Sequence, residues 1–129
     1  MNRKFLITGA ILGLFAIIFG AFAAHGLKNL VDVQAVESFE TGVRFQMYHA
    51  FLFLLMGFLD PRKLNLQTTY ILLLSGTILF SGSIYLLATN TLTPFFDFTT
   101  IALLTPLGGT LLIVGWAMIL YRFIKMKAK

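Results

Sequence analysis

The sequence predicts an all-α fold, an integral membrane four-helix bundle with both termini on the cytoplasmic side. Three observations carry this. Hydrophobic residues make up 58% of the 129 and charged residues 12%, about half of the roughly 25% charge of a soluble domain. That leaves too little polar surface to cover a water-soluble globule. The apolar residues fall in four blocks, each near the ~20 residues a helix needs to cross a hydrocarbon core of about 30 Å. Basic residues flank those blocks: Arg3 and Lys4, then Arg62 and Lys63, then Arg122, Lys125, Lys127 and Lys129, eight of the ten in the chain.

The first span, residues 5–24, carries no charge. Its basic start and the Ala21, Phe22, Ala23 stretch resemble a cleavable signal peptide. Signal h-regions run about 7–15 residues, and this block is longer, so a retained span is expected. Gly9, Gly13, Ala16, Gly20 and Ala24 share one side of it, as close helix packing in lipid requires. His25 and Gly26 should end the helix, with Gly26 as a left-handed cap. The second span, residues 40–59, stops before Asp60 and Pro61, where proline prevents continuation. The third, residues 69–88, carries Ser75, Gly76, Ser81, Gly82 and Ser83 and closes at Thr89, Asn90 and Thr91. The fourth, residues 101–123, contains Pro106, Gly108, Gly109 and Gly115, and Pro106 should bend it near its start. None of the blocks shows the two-residue alternation of barrel strands. One domain covering residues 1–129 is expected, its small residues packing helices within the chain rather than between copies.

Orientation follows from charge. With the termini inside, the outer segments hold only Lys28 and Arg44 among the basic residues, together with Asp32, Glu37, Glu40 and Asp97. The positive-inside bias has one sign at every connection. The net charge of +5 is therefore topological, and no flank interleaves aromatics with base-reading side chains, which argues against nucleic acid. With zero cysteines, disulfides and thiolate chemistry are excluded.

The costly residues lie in "ESFETGVRFQMYHAF", residues 37–51. From Phe45 the apolar part of span two is only about 22 Å long at 1.5 Å per residue, so either the membrane thins there or Arg44 lies in the outer edge of the bilayer. Glu37, Glu40, Thr41, Arg44 and Tyr48 fall within one helical arc, and Glu40 and Arg44 form a favourable i,i+4 pair. The arc is either a self-neutralising interfacial face or a polar pocket opening outward. Gln46 and His49 lie deeper. A mid-membrane histidine normally finds a hydrogen-bond partner, and Ser75, Ser81, Ser83 and Thr105 are the candidates on other spans; a proton or ligand role is the alternative. His25 and His49 could together suggest haem or a metal, but they stand at different depths and fall short of a zinc ligand set. No metal or cofactor is therefore expected, and no catalytic residues are assigned. The polar-site candidates are His25, Glu37, Glu40, Arg44, Gln46, Tyr48 and His49.

Four blocks, "GAFAAHGL" at 20–27, "ETGVRFQMYHAF" at 40–51, "FSGSIYLLA" at 80–88 and "LTPLGGTLLIVGW" at 104–116, resemble the domain of unknown function 423 family. Those are small four-span membrane proteins, mostly bacterial, with eukaryotic relatives called transmembrane protein 256. This chain has Ala23 where the family commonly has glycine and Phe45 where it commonly has tyrosine; neither change touches a charge or a histidine. The resemblance implies a compact four-helix protein of a bacterial plasma membrane but supplies no reaction.

Three function classes remain. The first is non-enzymatic support of the cell envelope or of a membrane partner, with an outward polar site on span two; this is the preferred reading, with lipids, a membrane protein partner or a second copy as partners. The second is an oligomeric small transporter or channel. It would have to run through His49 or the Glu40/Arg44 group, because residues 5–24 lack the deep carboxylate that small multidrug antiporters use. The third is a lipid- or quinone-binding membrane protein or an enzyme, for which no acid pair at catalytic spacing and no cysteine are present.

Overall fold

A computed structural model describes residues 1–60 and 64–126. Four long helices dominate: α1 (Arg3–His25), α2 (Val33–Gly57), α3 (Gln67–Ala88) and α4 (Leu104–Lys125). Short 3-10 turns at Leu27–Asn29, Asn90–Leu92 and Phe98–Ile101 join them. Pro61, Arg62, Lys63, Lys127 and Lys129 lie outside the described residues, so the expected proline stop and those basic positions carry no structural account.

The largest departure from the sequence reading is the start of α2. It begins at Val33 rather than near residue 40, because Asp32 caps it: the Asp32 carboxylate accepts from Ala35 N–H at 2.7 Å, satisfying a donor that would otherwise be orphaned. The helix is therefore 25 residues long, or about 37 Å. It can cross a ~30 Å core and still project a turn or two beyond it, so the bilayer need not thin around Arg44. The projecting turns are anchored by Phe39, which is buried against the rings of Phe19, Phe22 and Tyr85.

Two further expectations are corrected. Gly26 is not a left-handed cap: its φ is −86° and ψ −55°, and the chain runs on into the turn Leu27–Asn29. Small size matters there for another reason, since a Cβ would lie 3.0 Å from the Phe22 ring. Pro106 is the third residue of α4 and not, as expected, several residues along it. The helix starts at Leu104, which puts Pro106 in the first turn, where its missing N–H costs nothing.

The helices meet at glycine. A Cβ on Gly9 would lie 2.8 Å from the Ala50 carbonyl oxygen, and one on Gly57 would strike Leu6. These contacts hold α1 against α2, and Asn2 N–H donates to Gly57 O at 2.6 Å across the same pair. Between α3 and α4, Gly76 faces Leu112, Gly115 faces Leu73, and Gly108 lies directly on the backbone of Leu79 and Phe80. Chain neighbours are antiparallel. α1 also runs beside α3, with Thr8 bonded to Tyr70 at one end and Phe19 packed on Tyr85 at the other.

The protein thus has a terminal end, carrying the starts of α1 and α3 and the ends of α2 and α4, and an opposite loop end. Phe5, Phe53, Met56, Tyr70, Leu73, Leu112 and Ile119 form a core toward the terminal end; Ala23, Leu27, Phe39 and Ala88 form a smaller one at the loop end. Outside these cores the surface is greasy. Ile17, Leu55, Ile78, Ile113 and Ile124 are all more than half exposed. Such a surface suits acyl chains and not water. Among the described residues three stretches are long and apolar enough to cross a membrane: Arg3–Asn29, Gln67–Ala88 and Phe98–Lys125. α2 misses that standard because of the polar residues in its first half.

Gly108 and Gly82 give a matched test, since a Cβ at Gly82 meets nothing within 4 Å. Gly108→Ala is expected to cost about 1–3 kcal/mol by forcing α3 and α4 apart. Gly82→Ala should be neutral or up to about 1 kcal/mol stabilising through helix propensity. Thermal unfolding in detergent, followed by circular dichroism, reads both.

Candidate functional site

The register of α2 separates the seven candidate residues into groups that face different ways. Gln46 and His49 turn inward and are buried, 5% and 4% exposed. Glu37, Arg44 and Tyr48 are exposed and Glu40 is half-buried. His25, also exposed, ends α1 at the loop end.

Gln46 bridges three helices. Its Nε2 donates to the Leu12 carbonyl of α1 at 2.8 Å, and its Oε1 accepts from Tyr85 OH of α3 at 2.7 Å. Beside it Ser81 Oγ donates to Gly42 O at 2.7 Å, a reach made possible because Gly42 has no side chain between the helices: a Cβ there would overlap the Tyr85 ring. Ser83 bonds Thr105 at 2.6 Å, joining α3 to α4.

His49 faces α4. Its Nδ1–H donates to Phe45 O at 2.7 Å, one turn back, and its Nε2 accepts from the Trp116 indole N–H at 3.2 Å. The indole can only donate, so this pair of bonds requires a neutral imidazole with its proton on Nδ1. The expected hydroxyl partners are corrected: Ser75 bonds its own helix, Ser81 goes to Gly42, and Ser83 and Thr105 bond one another. Trp116 was missed because it reads as part of an apolar span. As the single tryptophan in the chain, with one N–H that needs an acceptor when buried, it was the available signal.

At the loop end an open cleft of about 390 Å³ is lined by Gln34, Glu37, Ser38, Glu40, Thr41 and Arg44. The expected Glu40–Arg44 pair is absent among the described residues. Arg44 Nη2 donates instead to Thr41 Oγ1 at 2.9 Å, and Thr41 donates to Glu37 O at 3.0 Å. An exposed ion pair is worth only tenths of a kcal/mol, too little to hold two long side chains against a nearer hydroxyl. Tyr48 stands outside the cleft, against the Phe45 ring, and His25 does not line it either. The structure therefore does not bring the seven residues into one site. Among the described residues no three metal-ligating side chains converge.

The neighbouring loop is organised by Asp97, whose carboxylate accepts from the Thr99 N–H, the Thr99 hydroxyl and the Asn90 amide. These donors hold its carboxyl below the usual carboxylate range.

A chain with these helices, this greasy exterior and this polar spine matches known sequences over nearly its whole length. Residues 19–109 match the profile of a family described as "Protein of unknown function (DUF423)". The chain belongs to that family. It is 36% identical to a UPF0382 membrane protein of Haemophilus influenzae across 99% of both chains. It is 35% identical to the UPF0382 membrane protein YwdK of Bacillus subtilis, over 95% of this chain and 98% of that one. Identity to the UPF0382 inner membrane protein YgdD of Escherichia coli is 32%, over 99% and 95%. No solved structure matches. The DUF423 protein described here is thus a small helical membrane protein, and the profile match takes in all of α2 and α3.

Cutting the Gln46 bridge separates its energy from packing. A double-mutant cycle of Gln46→Leu with Tyr85→Phe should return a coupling of about 0.6–1.7 kcal/mol, the range of interhelical hydrogen bonds in membranes. Unfolding of the four variants in mixed micelles measures it.

Proposed function

We propose that this DUF423 protein is a multi-pass protein of the bacterial plasma membrane whose four helices all cross as a bundle, with termini in the cytoplasm, and that it works without catalysis. In this reading it supports the envelope or a membrane partner through the polar face on the first turns of α2. One observation carries the proposal: the deep polar groups are already committed. Both ends of Gln46 and both nitrogens of His49 bond the protein itself, whereas the charged groups lining the loop-end cleft face open space. A transport reading is weakened for the same reason, because a proton relay needs a histidine that can exchange partners. Charge supports the orientation. Arg3, Lys4, Arg122 and Lys125 stand at the terminal end, while Asp32, Glu37, Glu40 and Asp97 stand at the loop end.

The test uses the absence of native cysteine. Ser38→Cys in intact cells should react with a membrane-impermeant maleimide from outside, whereas Asn65→Cys should react only after permeabilisation. A photo-crosslinking residue at Gln34 should then trap a discrete partner that Glu37→Lys abolishes. Reversed labelling removes the orientation. No adduct, together with an unaltered response to envelope stress in a deletion strain, removes the supporting role.

A second reading is favoured by a groove of about 450 Å³ between α2 and α4, lined by Phe45, Phe80, Leu112, Ile113 and Trp116 with His49 at its polar point. An amphiphile of the lipid phase, such as a quinone, would fit its shape and apolar lining. Trp116 reports on it directly. Saturable quenching of its fluorescence by a short-chain quinone in proteoliposomes, lost in Gly109→Leu, is the expected result. Quenching that merely rises linearly with membrane partitioning counts against this reading.

A further inference from the structure

We propose that the terminal end binds a phosphate group, carried by an anionic lipid, in a cleft between the α2–α3 connection and the last turn of α4. The cleft measures about 390 Å³ and is lined by Leu64, Asn65, Tyr121, Arg122, Lys125 and Met126. Among the described residues its lining holds two cations and no carboxylate.

Four observations lead to a phosphate. First, Arg122 Nε is buried and has no hydrogen-bond partner among the described residues. A guanidinium N–H shut away from water without an acceptor is unfavourable, and a phosphate oxygen supplies an acceptor that matches the planar guanidinium fork. Second, Lys125 lies three residues further along α4, on the same face, and lines the same cleft. Third, Asn65 spends its side-chain oxygen on the Gln67 N–H at 3.2 Å, so its amide NH₂ remains uncommitted, a further donor. Fourth, the helix register places the cleft at headgroup depth. With Gly76 on Leu112 and Gly115 on Leu73, antiparallel α3 and α4 bring Leu66, just before α3, opposite Arg122. This is the point where both helices leave the apolar slab, and lipid phosphates lie there.

Thr69, in the first turn of α3, supplies the other buried side-chain oxygen without a partner among the described residues. Both orphaned groups thus occur at one end of the fold. The loop end, whose lining includes Glu37 and Glu40, offers no comparable cationic cleft. The inference depends on membrane placement of α4 alone, so it stands or falls separately from the polar face of α2.

Native mass spectrometry of the full-length protein, released from mixed micelles holding equal phosphatidylglycerol and phosphatidylcholine, tests it. Saturable retention of one phosphatidylglycerol is expected, and Arg122→Gln should weaken it about tenfold, as loss of charge-assisted hydrogen bonds implies. Lys125→Gln should give a smaller loss. It also serves if Arg122→Gln fails to fold, which circular dichroism would reveal. Arg122→Lys, keeping the charge without the fork, should fall between. Displacement of the lipid by millimolar inorganic phosphate would support the phosphate site and assign it to a soluble source; persistence supports the lipid. Equal retention of the two lipids, or wild-type binding by a folded Lys125→Gln and Arg122→Gln, overturns the proposal.

Discussion

Close backbone approach at glycine is the constraint on which the rest of this molecule depends. In lipid, apolar side chains gain little by leaving acyl chains for one another, so helices associate through close fit and polar contact. Gly9 against Ala50, Gly42 against Tyr85 and Gly108 against the backbone of Phe80 provide that fit. The polar contacts are its consequence. Ser81 reaches the Gly42 carbonyl because no side chain intervenes, and Gln46 reaches the Leu12 carbonyl across the α1–α2 interface that Gly9 keeps tight. A bulkier residue at Gly42 would displace Tyr85 and with it one end of the Gln46 bridge.

α2 carries most of this polar traffic. It touches α1 and α3 through Gln46 and α4 through His49, and its first turns are pinned by Phe39. A helix of this composition is poorly suited to hydrocarbon alone, since imidazole and amide groups are unfavourable there without partners. Its companions remove that difficulty by supplying Tyr85, Leu12 O and Trp116 as partners. This explains how a helix that falls below the apolarity of its neighbours still packs against them in a greasy protein.

How much of this was legible in the sequence follows from range. Features set by composition or by a few adjacent residues were readable: the all-helical class, the approximate positions of the four helices, and the small-residue faces of α1 and α4. Even there, the Asp32 cap was passed over because it begins a helix in polar sequence, where apolar periodicity gives no signal. Features set by partners distant in the chain were not readable. Helical angles put Glu40 and Arg44 side by side but could not rank a weak exposed pair against the nearer Thr41 hydroxyl. Likewise the deep location of His49 implied a partner, while its identity depended on the crossing of α2 with α4, which brings residue 116 and not 81 or 83 alongside. Six of the seven candidates form one polar run along α2, and a run along a helix necessarily points in several directions.

The division of polar groups also bears on what kind of activity this architecture can support. A relay through the membrane needs titratable groups in sequence, each able to give up its partner. Here the deep groups alternate between amide, phenol and a neutral imidazole held by an indole N–H, and protonating His49 at Nε2 would break the Trp116 bond while leaving the imidazolium among apolar rings. The arrangement commits both nitrogens of His49 to partners within the protein. Free charge is confined to the ends, acidic and mixed at one, cationic at the other. The interior, bonded to itself through Gln46, Tyr85, His49 and Trp116, holds those two ends in fixed relation.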